Sequence, residues 1–122
     1  MAVLGSTVIN GNLAVSGEIS ASSLNLKSDE KLKENIVPFV SNPDILKLPV
    51  YKYDFINGPK GRIGCLAQDL QKICPEIVHI DELGDLAIEE QKIVYLLLEE
   101  IKKLTIKVNI LENEIKALKD NK

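Results

Sequence analysis

The sequence predicts an α+β chain in three parts, and three patterns predict it. Residues 1–27 alternate with period two, residues 28–87 mix short strand and helix signals, and residues 88–122 carry a heptad seam. At 122 residues the chain is the size of one domain. With only three Tyr, two Phe and no Trp, any core must be aliphatic. Fifteen basic against 18 acidic residues give a net charge of −3, which offers no electrostatic footprint for nucleic acid. The longest apolar run, Ile93 to Leu98, is six residues, far short of the roughly 20 needed to cross a bilayer. Met1 leads into Ala2-Val3-Leu4-Gly5 without a basic region, so no secretory signal is expected.

From Thr7 to Ala21 the odd positions read Ile9, Gly11, Leu13, Val15, Gly17, Ile19 and Ala21, and the even positions are largely polar. This is a strand pattern with one apolar face. Gly11 and Gly17 weaken it, because glycine packs nothing and loses the most backbone entropy. Such an arm cannot bury a core alone, and copies of itself are the most economical partner.

The middle part is punctuated. Ser28-Asp29-Glu30 offers a capping hydroxyl and then acids for the positive end of a helix, which Pro38 stops. Asn42-Pro43 and Leu48-Pro49 mark loops. Val50–Ile56 reads as a strand, Asn57-Gly58-Pro59-Lys60-Gly61 as a turn and Arg62–Leu66 as the returning strand of a hairpin. Ala67–Ile73 reads as a short helix, Glu76–Ile80 as a third strand, and Leu83-Gly84-Asp85 as the turn behind it. Cys65, Cys74 and His79 are too few and wrongly spaced for a zinc site, so no metal or other cofactor is expected. The two thiols read as small buried hydrophobes and His79 as one side chain on a short strand.

The last part is the clearest. Val94, Leu97, Ile101, Leu104, Val108, Leu111, Ile115 and Leu118 alternate steps of three and four without a miss, which predicts a coiled coil. Lys107 and Glu114 at g face Glu112 and Lys119 at the following e of a parallel neighbour, and both pairings attract. Val or Ile at a with Leu at d favours two strands, so seam chemistry alone points to a parallel dimer. A coiled-coil adaptor for another protein's helix is the rival, but the matched g-to-e charges favour self-association.

For chemistry the residues offer one constellation, Ser28 followed by Lys31 and Lys33. A serine hydroxyl becomes a nucleophile only with a base nearby, and a lysine serves only in its neutral form. On an α-helix, residues i and i+5 sit about 140° apart, so Ser28 and Lys33 cannot share a face, and Lys31 at i+3 is better placed. They meet only if Ser28 precedes the turn and the chain folds back, or if the pair forms between protomers.

Here the chain resembles a known family. Ser28-Asp29-Glu30-Lys31-Leu32-Lys33-Glu34-Asn35-Ile36 is similar to the Ser-Asp-x-Arg-Leu-Lys-x-x-Ile signature of the intramolecular chaperone auto-processing domains, the S74 peptidase class. Tyr51-Lys52-Tyr53-Asp54-Phe55, Ile63-Gly64-Cys65-Leu66-Ala67-Gln68-Asp69-Leu70 and Pro75-Glu76-Ile77-Val78 continue the likeness, and the coiled-coil helix ends it near Leu118. The resemblance implies a homotrimer at the C-terminus of a phage tail fibre or spike, assembled in the host cytoplasm and carried on the virion. Its partners would be its own copies and the upstream fibre segment of the same polypeptide, with neither nucleic acid nor membrane. The arm over residues 1–27 would then be the end of a trimeric fibre stem.

The resemblance also implies self-cleavage by a Ser/Lys dyad, with Ser28 as nucleophile, Lys33 as base, and Asp29, Lys31 and Asn35 as supporting residues. Attack on the carbonyl of Lys27 passes through a five-membered ring, whereas attack by Ser28 on its own carbonyl needs a strained four-membered one. Scission is therefore expected at Lys27–Ser28, and at Ser28–Asp29 only if a neighbour's hydroxyl attacks. Lys31 stands where the family carries arginine, a point charge in place of a planar fork. With Met1 only 27 residues before Ser28, two outcomes are expected: a piece of a longer fibre, or a module retained uncut.

Overall fold

The computed structural model describes residues 2–121 and divides into two compact units, at Ile36 and Val37. In the first unit, residues 2–29 carry no regular element, and Ile9, Leu13, Val15 and Ile19 are all exposed. The period-two pattern is present but pairs with no strand among the described residues, and a strand exists only against a hydrogen-bonded neighbour. The helix read from Ser28 toward Pro38 is shorter than expected: a single 3-10 turn over Glu30–Leu32. Lys33 is already extended at φ −117° and ψ 148°, and Asn35 takes a left-handed φ of 53°, so the turn cannot propagate. Asparagine is among the few non-glycine residues that accept that conformation.

The second unit opens with a 3-10 turn over Pro43–Lys47, in a stretch the sequence reads as loop. Asn42 caps it, its Oδ1 accepting from the Asp44 N–H at 2.9 Å. Strands β1 (Tyr51–Tyr53) and β2 (Arg62–Gly64) form the expected antiparallel hairpin, shorter than read, with Tyr51 opposite Gly64 and Tyr53 opposite Arg62. Its connection is fixed from inside. Asp54 Oδ1 accepts from the Gly61 N–H at 2.7 Å and the Phe55 N–H donates to the Pro59 carbonyl at 2.9 Å. Glycine at position 64 leaves room for the Tyr53 ring, which would lie a tight 3.3 Å from a β-carbon there.

Helix α1 spans Ala67–Gln71 and buries Leu70 completely. The expected third strand begins two residues late, because Pro75–Ile77 forms a 3-10 turn before β3 (Val78–Ile80). The partner of β3 is β4 (Leu86–Ile88), antiparallel, with His79 opposite Ala87. Asp81 closes that hairpin by accepting from the N–H groups of Leu83 and Asp85 at 2.9 and 3.0 Å.

After a 3-10 turn over Glu90–Lys92, helix α2 runs from Ile93 to Asp120. Its 28 residues span about 42 Å. The core is small and aliphatic: Ile45, Leu70, Cys74, Ile77, Val78 and Leu96. Only the first two turns of α2 reach it. Every described residue from Ile101 onward is exposed.

Candidate active site

The structure brings Ser28 and Lys33 together within one chain. Lys33 Nζ donates to Ser28 Oγ at 2.7 Å. The i+5 spacing closes because Ser28 stands before the 3-10 turn and the extended Lys33 after it, the first of the two arrangements open to the sequence. The turn is held at its start by Asp29, whose Oδ1 accepts from the Lys31 N–H at 3.1 Å. The Leu32 and Lys33 N–H groups donate to the carbonyls of Asp29 and Glu30, each at 3.0 Å. The capping role the sequence offers to Ser28 therefore belongs to Asp29, and the serine hydroxyl is free to meet the lysine.

Lys31 Nζ lies 3.8 Å from Asp29 Oδ2, with both side chains largely exposed, so this ion pair adds little to stability. Asn35 ends the segment in its left-handed bend. Lys27, Ser28 and Lys33 are all exposed.

Residues 28–79 match the peptidase S74 family model, chaperone of endosialidase. That stretch is similar to an S74 intramolecular chaperone domain. The match opens on Ser28 itself, passes through β1, β2 and α1, and ends at His79 in β3, leaving β4 and α2 beyond it. No curated protein matches the chain. Among the described residues no helix is long and apolar enough to cross a membrane.

Beyond the S74 match, α2 presents its seam to solvent. Val94, Leu97, Ile101, Leu104, Val108, Leu111, Ile115 and Leu118 are between 39% and 70% exposed, an apolar stripe with no cover from its own chain.

Two clusters at the foot of α2 have no warning in the sequence. Glu100 is buried and accepts from the Ser41 hydroxyl, while Lys103 Nζ reaches Glu100 Oε1 at 2.9 Å and the Ser41 carbonyl at 3.3 Å. Glu89 accepts from Lys92 Nζ at 2.6 Å and meets His79 Nε2 at 2.8 Å. Both carboxyls are held below their ordinary value. For Glu100 the Ser41 hydroxyl acts first and Lys103 second, and for Glu89 Lys92 acts first and His79 second.

A carboxyl lowered in the folded state contributes its full stability above its unfolded value and loses it as pH falls through the folded one. The urea midpoint of the protein is therefore expected to be flat from pH 7 to about 5 and to drop below about 4.5. Glu100→Gln, which cannot titrate, should flatten part of that drop in a circular-dichroism titration.

The hairpins border a cleft of about 560 Å³ lined by Tyr53, Phe55, Cys65, Gln68, Ile88 and Glu90. Tyr53 and Phe55 meet edge to face there, with ring centres 5.2 Å apart. Burial first, then the nearby Glu90 carboxylate and more weakly that of Asp69, push the Cys65 thiol up. Cys74 is a free, buried thiol whose Sγ donates to Glu76 Oε2 at 3.0 Å. Burial and that carboxylate push it up to about 11.

Proposed function

We propose that this chain is the C-terminal intramolecular chaperone and trimerisation segment of a phage-type tail fibre or spike, and that it cuts itself once beside Ser28. The observation that carries the reading is the 2.7 Å contact between Lys33 Nζ and Ser28 Oγ, at the first residue of the S74 match. In this reading residues 1–27 are the end of the fibre stem, residues 28–87 the auto-processing part, and residues 88–122 the helix that assembles three copies in parallel. The exposed seam of α2 supports the assembly, and the family favours three copies over two. The exposed apolar face of the arm is covered by its own copies in the stem. The mature product is a virion component.

The chemistry follows from the pair. Neutral Lys33 takes the proton of Ser28 Oγ as the oxygen attacks the carbonyl carbon of Lys27. The Lys27–Ser28 C–N bond breaks, the departing nitrogen takes the proton back, and an ester joins Lys27 to the serine oxygen. Water then opens the ester, leaving a carboxylate on Lys27 and a free hydroxyl and amine on Ser28. Removing an amine from water favours its neutral form. Both side chains are open to solvent in the single chain, so assembly that covers them would switch the reaction on.

A second reading, a retained trimerisation module with the same fold and no cleavage, is favoured by Lys31 in place of the family's arginine. Intact mass followed for days at pH 8–9 separates the two. Self-cleavage yields two fragments whose masses meet at Lys27–Ser28. Full mass throughout, in a protein that sediments as a folded trimer, selects the retained module.

A further inference from the structure

We propose that Asp29 is the positioning residue of the Ser28/Lys33 pair, acting through the 3-10 turn it caps. The proposal rests on the self-cleavage reading and deepens it. Ser28 and Lys33 are five residues apart, and helical continuation would carry them to different faces. They meet because the chain makes one short turn and then stops. Asp29 sets the start of that geometry. Its backbone, at φ −66° and ψ 132°, is extended, which leaves Ser28 outside the turn. Its carboxylate holds the Lys31 N–H at 3.1 Å, and its carbonyl accepts from the Leu32 N–H at 3.0 Å. The turn then hands the chain to Lys33 in extended form, with its ammonium at the serine oxygen.

A three-residue turn has little to hold it, because nucleating helical structure fixes several torsions for one hydrogen bond. It is also exposed, with no buried residue of its own, so packing does not maintain it. The cap is the main local term, and the time Lys33 spends at Ser28 follows the population of the capped turn. Asp29 touches no reacting atom in this account. Its carboxylate acts as a hydrogen-bond acceptor, not as a charge, so asparagine and serine should replace it, since both cap as well as aspartate does.

The test compares Asp29→Ala, Asp29→Asn and Asp29→Ser with wild type, each checked for unchanged helix content and sedimentation. Asp29→Ala is expected to slow cleavage by roughly 3- to 30-fold, the range that follows from losing an N-cap. Asp29→Asn and Asp29→Ser should cut at close to the wild-type rate. A second readout does not need cleavage. In a Ser28→Cys background the introduced thiol, read by alkylation rate against pH and located by peptide mass, should titrate low beside the Lys33 ammonium. Adding Asp29→Ala should move that midpoint up toward a free thiol, and adding Asp29→Asn should not.

Equal rates and equal midpoints for Asp29→Ala and wild type overturn the proposal. So does Asp29→Asn falling as far as Asp29→Ala, which would make the charge the operative property. A wild type that never cuts defeats the cleavage reading alone, and the thiol midpoint then decides the role of Asp29.

Discussion

Ser28→Ala protein should stay at full mass under conditions in which wild type converts to two fragments. In the proposed reaction Ser28 attacks the carbonyl beside it, so its replacement removes the nucleophile at that bond. What is left is uncatalysed peptide hydrolysis, which is undetectable over days. Lys33→Met keeps the length of the side chain and deletes the base, and should slow cleavage by about 10²- to 10⁴-fold. The wild-type rate should climb with pH, because only the neutral amine accepts the serine proton. Lys31→Arg, which restores the planar fork of the S74 signature in place of a point charge, should raise it further. Time courses of intact mass at several pH values check all four outcomes. Wild type at full mass at pH 9, with Lys31→Arg equally inert, would remove the enzymatic reading.

Leu104→Asp should dissociate the assembly. Leu104 sits at a d position near the middle of the seam and is 59% exposed in the single chain, so the change removes no contact within it. In a parallel coiled coil the same position turns inward in every copy. Several carboxylates would then face one another along the axis without a partner, each carrying a desolvation cost of several kcal/mol. Sedimentation equilibrium should find wild type near three times 13.5 kDa and the variant near 13.5 kDa. A wild type that is monomeric at every concentration would contradict the assembly, and a dimer would contradict the family's copy number while sparing the coiled coil. With both dyad residues intact, the variant should also cut poorly, because the site would no longer be covered.

Legibility followed the range of each interaction. The β1–β2 hairpin could be read because its turn is written in five consecutive residues, Asn57 to Gly61, between apolar runs. The seam of α2 could be read because its period repeats over more than three heptads. Strand β4 escaped because three residues, Leu86 to Ile88, are too few for any period, and what defines them is pairing with β3. At Ser28 the residue types offered a capping hydroxyl with Lys31 and Lys33 close behind, the resemblance singled out Lys33, and a hydroxyl and a carboxylate both cap turns. Only the geometry assigns the cap to Asp29.

Glu100 was hidden for a different reason. It occupies a g position, where the heptad rule places solvent, and its partner Ser41 is 59 residues away. No local pattern announces such a contact. The arm shows the opposite limit, a legible period over residues that form no regular element.

The hydrogen bond from Cys74 to Glu76 has a consequence for the covalent history of the protein. A thiol pushed up to about 11 is ionised in only about one molecule in 10⁴ at pH 7. Thiol–disulfide exchange and peroxide oxidation both proceed through the thiolate, which is about 10²-fold scarcer here than at an ordinary thiol, so both are slowed at this sulfur. Cys65 is shifted in the same direction. Both sulfurs are therefore poor starting points for disulfide formation between copies of the chain that come close to one another.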